Sequence, residues 1–186
     1  MIVVPGSDGG LEHAGKHAHF LADNGVPALA VALFKTKHTG KNCWSQNGES
    51  LPYTPYKMRK FNMLKLIWRA KEFNILETNT GKKVVPQSVI PIEKLKIPIM
   101  MFSTKVDTIW PSTENCEIMC KKLEENQYPY PYKHIAFEHM SHMMLEYCGK
   151  VIKYFIKSEK SDPEACYAER DVMGQETIKW IEDIWN

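Results

Sequence analysis

Three short segments hold the side chains whose type and spacing could do chemistry. The first is Pro5-Gly6-Ser7-Asp8-Gly9-Gly10, a glycine-rich turn between an apolar run and a helical pattern. Such a turn exposes backbone N–H groups that can bind a phosphate or stabilise an oxyanion. It is not G-x-G-x-x-G, because Asp8 takes the second glycine position, and not a P-loop, because no Gly-Lys-Ser/Thr follows. Taken alone, it is a plain tight turn.

The second segment runs from Ser103 to Ser112. Asp107 stands there just past an apolar run and before Trp110-Pro111-Ser112. An acid at that place can fix the tautomer of a histidine and stabilise its imidazolium; its bland alternative is a turn-capping Asp. The third segment is Phe137-Glu138-His139-Met140-Ser141-His142-Met143-Met144, which follows the next apolar run. His142 is the first candidate for a base paired with Asp107, and His139 is the fallback. A lone histidine is usually structural. The order strand, Asp, strand, His gives this one weight, because sites in open parallel sheets gather at the carboxyl ends of strands.

Other clusters are weaker. His13, His17 and His19 include an i,i+4 pair on one helical pattern, but no HExxH accompanies them, so a solvated face is the better reading and no metal is expected. Lys57, Arg59, Lys60, Lys65, Arg69 and Lys71 line a basic amphipathic stretch. It could meet the phosphates of a ligand or an acidic partner, yet Lys and Arg are ordinarily surface residues. Trp44, Tyr53, Tyr56, Trp68 and Trp110 could line a pocket, though aromatics are more often core.

The elements that must position these residues can be read from periodicity. Met1 to Val4 is a buried strand, whose beginning we expect to be missing, and Leu11 to Asn24 is a helix with Gly25 as its cap. Ala28 to Phe34 is the next strand. Two apolar strands around a helix make a βαβ unit with parallel strands. Lys35 to Tyr56 is loop-like, Lys57 to Asn74 helical, and 79 to 96 irregular. Ile97 to Ser103 is a strand, Ser112 to Asn126 a helix opened by a Ser/Thr cap, and Lys133 to Phe137 a strand. Leu145 to Lys157 is helix-like. Ser161-Asp162-Pro163-Glu164 opens a last helix to Trp185.

Composition bounds the answer. The chain has 186 residues, 44% hydrophobic and 25% charged, which is globular and not disordered. A formal charge of +2 does not indicate nucleic acid as a partner. No apolar run approaches a membrane span, and the first residues have no basic n-region, so neither a span nor a signal peptide is expected. The five cysteines, Cys43, Cys116, Cys120, Cys148 and Cys166, follow no disulfide or zinc spacing. Free thiols in the reducing cytoplasm are the simplest expectation.

As an ordered set the motifs resemble the acyl-CoA thioesterase / bile acid-CoA:amino acid N-acyltransferase family of the α/β-hydrolase fold, a mostly parallel sheet with flanking helices. The run from Ile2 to Gly10, the Ala28–Phe34 strand, Trp44-Ser45, Leu51-Pro52-Tyr53-Thr54-Pro55-Tyr56, Val106 to Ser112 and Ser141-His142-Met143 carry the resemblance. It implies a single domain over 1–186 that acts on a small acyl-CoA-like thioester through a Ser or Cys ester, without a cofactor. Asp107 and His142 would be the acid and base, and the backbone N–H groups of Ser7 and Asp8 half of the oxyanion hole. Two alternatives accompany it: acyl transfer to an amino acid, and a catalytically inactive short form that binds a ligand or partner.

One departure is severe. The fold carries its nucleophile on a strand-turn-helix elbow, G-x-S-x-G or a variant. No glycine of this chain is followed by Ser or Cys at +2 and Gly at +4; Gly48-Glu49-Ser50 comes nearest, but Pro52 takes the last place. Relative to the family, a gap falls near residues 40–43, where the nucleophile strand and elbow are expected. Any domain ahead of Met1 is expected to be absent as well. Cys43, Ser45 and Ser7 are poor substitutes, because none sits on an elbow. The nucleophile is therefore unknown.

Overall fold

A computed structural model describes residues 2–3, 11–30, 45–46, 49–50, 85–107, 111–144 and 156–185. In chain order the elements are β1 (Ile2–Val3), α1 (Leu11–Asp23), β2 (Leu29–Ala30), β3 (Ser45–Gln46) and β4 (Glu49–Ser50), then β5 (Ile99–Thr104), α2 (Ser112–Glu125), β6 (Tyr132–Phe137), α3 (Lys157–Ser161) and α4 (Pro163–Trp185). Two 3₁₀ turns, Pro86–Ser88 and Ile92–Lys94, precede β5, in the stretch expected to be irregular.

Both larger units are βαβ. β1 pairs in parallel with β2, and β5 in parallel with β6, in register from Ile99↔Tyr132 to Thr104↔Phe137. The expected α/β architecture is thus present as parallel strand pairs with helices between them.

The two crossover helices end alike. After α1, Val26 N donates to Leu21 O at 2.9 Å and Gly25 N to Ala22 O at 3.0 Å, with Gly25 at φ 80°. After α2, Tyr128 N donates to Leu123 O at 3.0 Å and Gln127 N to Glu124 O at 3.0 Å, with Gln127 at φ 49°. Each is a Schellman ending, whose apolar contact comes from Val26 on Leu21 or Tyr128 on Leu123. Gly25 was legible as a cap; a glutamine in the left-handed region was not.

Period-two alternation gives the β5–β6 pair two faces. Ile99, Met101 and Tyr132 pack with Cys116, Leu123 and Tyr128 on the α2 side. Phe102, Ile135 and Phe137 pack with Met140 and Met173, placing α4 on the other side. Farther along, Ile178 and Ile181 of α4 join Ala14, Ala18, Leu21 and Val26 of the first unit. The last helix therefore ties the two βαβ units together. It opens as its sequence specifies: Pro163 is the first helical residue, and Asp162 Oδ1 accepts from Ala165 N at 3.0 Å.

Two local expectations are corrected. No side chain caps α2; Ser112 Oγ donates instead to Thr104 O and accepts from Thr104 N, both at 3.3 Å. That hydroxyl is spent on pinning the helix start to the end of β5. Ser45 and Ser50 are partners in an antiparallel β3–β4 pair, not a loop. The Asn47-Gly48 between those strands is a strong hairpin signal that the loop reading passed over. The basic stretch Lys57–Asn74, the gap near 40–43, the 145–155 helix and all five pocket aromatics lie outside the described residues. Among the described residues no helix is long and apolar enough to cross a membrane.

Candidate active site

β5 and β6 end side by side, and the two candidate residues leave from those ends. The Thr104–Asp107 turn closes with Asp107 N donating to Thr104 O at 3.2 Å, and Lys105 N donates to Phe137 O at 2.9 Å. The chain after β6 turns through Glu138 to Met140 and delivers His142. Its Nδ1 lies 3.0 Å from Asp107 Oδ2. A carboxylate can only accept, so Nδ1 carries the proton, and Nε2 is the ring nitrogen left to take one. The Asp107 side chain is 1% exposed and that of His142 is 32% exposed. A buried acid beneath a partly open imidazole is the arrangement a general base requires. His142 makes this contact, not the fallback His139, whose backbone is engaged elsewhere.

One hydroxyl couples the two turns. Thr104 is buried, and its Oγ1 donates to Met140 O in the histidine loop while accepting from Val106 N at 3.4 Å in the acid turn. Thr104 and Phe137 are register partners, so the strand pairing itself sets the offset between the turns.

A second serine–histidine contact lies nearby. Ser103 Oγ is 2.7 Å from His134 Nε2 and 3.1 Å from Thr113 Oγ1. Ser103 is 0% exposed, so no substrate reaches it. Burial holds the His134 ring below the usual imidazole range, with Glu117 pulling weakly the other way. This contact stitches β5, β6 and α2 together and is not a nucleophile–base pair.

The described cysteines are free and unactivated. Burial pushes the Cys116 and Cys120 thiols up. Cys166 is pushed up to about 12, by burial first and then by Glu159. A thiol so placed stays protonated and does not attack a thioester. Ser7, Asp8 and Cys43 lie outside the described residues. Ser45 sits in a strand pair, not on a strand-turn-helix elbow. Among the described residues, no group of three His, Cys, Asp or Glu could hold a metal ion.

Sequence reasoning missed the residues that hold the histidine loop from behind. Glu169 accepts from Glu138 N, His139 N and Met140 N; Glu159 accepts from Ser141 N; Arg170 donates to Met143 O. One signal was present. Cys166, Arg170, Met173 and Ile181 share the buried stripe of α4, and a charged residue on such a stripe needs a buried partner. That partner is Glu159, eleven residues upstream, a spacing that belongs to no motif.

No curated protein and no solved structure matches the chain. The family model for BAAT / acyl-CoA thioester hydrolase C terminal matches residues 24–154, a span that takes in β2, the Asp107 turn and the His142 loop. With that match covering more than half of the chain, the protein belongs to the BAAT / acyl-CoA thioester hydrolase C-terminal family.

Proposed function

We propose that the chain is an acyl-CoA thioesterase-type α/β-hydrolase domain, lacking its nucleophile strand and elbow, in which Asp107 and His142 are the acid and base. The observation that carries this reading is the 3.0 Å contact between His142 Nδ1 and the buried Asp107 carboxylate, at the ends of two adjacent parallel strands. In the proposed reaction, His142 Nε2 takes the proton of a Ser or Cys nucleophile that attacks the thioester carbonyl. Asp107 stabilises the imidazolium, and the N–H groups of Ser7 and Asp8 donate to the oxyanion. As the C–S bond breaks, the imidazolium returns its proton to the leaving CoA sulfur. Water then releases the acid from the acyl ester; an amino acid amine in its place gives the acyltransferase outcome. The proposed compartment is the cytoplasm, in keeping with the free thiols of Cys116, Cys120 and Cys166.

The absence of any G-x-S-x-G or G-x-C-x-G favours one second reading, a non-catalytic short form that binds a ligand or partner. The two readings separate in one experiment, release of free CoA thiol from acyl-CoA. The unaltered chain should give no steady release. A chimera carrying the family's nucleophile segment between Gly40 and Cys43 should release CoA, and His142→Ala should lower that rate by about 10²-fold or more. Chimera activity indifferent to His142 would remove the base assignment. Steady, His142-dependent release by the unaltered chain would place a nucleophile within these residues.

A further inference from the structure

The polar cage behind the histidine loop is more than a fold contact. Four successive N–H groups, from Glu138 to Ser141, all donate to carboxylates. Glu169 Oε1 accepts from Glu138 N at 2.9 Å and His139 N at 3.1 Å, and Oε2 accepts from His139 N at 2.9 Å and Met140 N at 2.6 Å. Glu159 Oε1 takes the fourth, Ser141 N, at 3.1 Å. Beyond His142, Met143 O accepts from Arg170 Nε at 3.3 Å and Nη2 at 3.1 Å. Arg170 in turn forks onto Glu159, with Nη1 donating to Oε2 at 3.1 Å and Nη2 to Oε1. His142 is thus bracketed by charge-assisted bonds on both sides, which are stronger and more directional than neutral ones.

All three side chains come from α3 and α4, beyond the last family-matched residue, 154. No neutral residue replaces Glu169 without loss, because one carboxylate oxygen serves each end of a run of converging N–H groups.

We propose that Glu169 is a positioning residue for His142: its carboxylate gathers the Glu138–Met140 N–H groups and thereby holds the imidazole on Asp107. This rests on the Asp107–His142 reading of the site. The hydrogen bonds of Glu169 go to the loop backbone, so it acts on the imidazole through the loop.

The test uses the full chain and two kinds of proton, seen by NMR. One is the His142 Nδ1–H, and the others are the His139 and Met140 amides. In Glu169→Gln the side-chain shape is kept and one acceptor oxygen is lost. The Nδ1–H and both amides should then exchange with solvent at least roughly tenfold faster, as expected for one lost bond to a charged group. Glu169→Ala should go further. Glu176→Ala, which removes a carboxylate of the same helix and breaks its ion pair with Lys133 of β6, should leave the Nδ1–H as it is.

If the amides speed up in Glu169→Gln while the Nδ1–H is unchanged, Glu169 is structural only and the proposal falls. If Glu169→Ala does not fold, Glu169→Gln and Glu176→Ala still decide it. Asp107→Asn separates this outcome from failure of the site reading: an Nδ1–H untouched by that variant overturns the acid–base pair itself, whatever Glu169 does.

Discussion

His142 and Asp107 are 35 residues apart in the chain and share a 3.0 Å contact, because Thr104 and Phe137 end adjacent parallel strands in register. The strand pairing sets the distance, and Thr104 Oγ1 binds the two turns into one unit. Thr104→Val keeps the shape and removes the hydroxyl, leaving Met140 O without this donor inside a buried site. We expect a loss of about 1–3 kcal/mol by chemical denaturation, with the His142 Nδ1–H exchanging faster than in the parent chain.

The Arg170–Glu159 pair is almost wholly buried, at 1% and 2% side-chain exposure. Replacing one partner leaves the other charge buried and alone. Arg170→Met should cost about 3–5 kcal/mol, and Arg170→Met with Glu159→Leu should recover much of that loss. Equal losses for the single and double variants, by denaturant titration, would contradict the pairing argument.

Acid should weaken the fold in two windows. Burial pushes the Glu159 carboxyl up, but hydrogen bonds from Arg170 and Ser141 outweigh it and hold it below the usual carboxylate range. A depressed acid contributes stability above its unfolded value, about 4.3, and loses that contribution as pH falls through its folded value. His134 is depressed as well, mainly by burial. The unfolded chain therefore takes up this proton first, and stability begins to fall below about pH 6.5. Denaturation midpoints should show an upper step that His134→Gln reduces and a lower one that Glu159→Gln reduces.

The two helix endings give an opposed pair of outcomes. Gly25→Ala puts a Cβ at φ 80° and should cost about 1–2 kcal/mol. Gln127→Gly relieves the same strain at φ 49° but adds freedom to the unfolded chain, for a net gain of about 0.5 kcal/mol. Thermal midpoints should move in opposite directions.

Much of this was legible in the sequence because the determinants are local. Asp162-Pro163 spells a helix start, Gly25 a helix end, and Ile97–Ser103 a strand, which the structure gives as Ile99–Thr104. The Asp107–His142 contact was legible because each residue follows an apolar run, and the two runs end side by side as parallel strands. The cage was not: Glu159, Glu169 and Arg170 reach the loop through tertiary packing, and the spacing of charged residues along α4 does not say which backbone they meet. Ser112 looked like a cap and binds the strand end instead, because a serine hydroxyl can satisfy either partner and its place in the sequence does not say which.

The most direct measurement of the central claim is the proton on the His142 ring, read by ¹H–¹⁵N NMR of the neutral imidazole in the parent chain and in Asp107→Asn. We expect a protonated Nδ1 with a far-downfield proton resonance in the parent, lost or shifted upfield in Asp107→Asn. A parent His142 protonated on Nε2, or an Nδ1–H that ignores the loss of the Asp107 carboxylate, would contradict it.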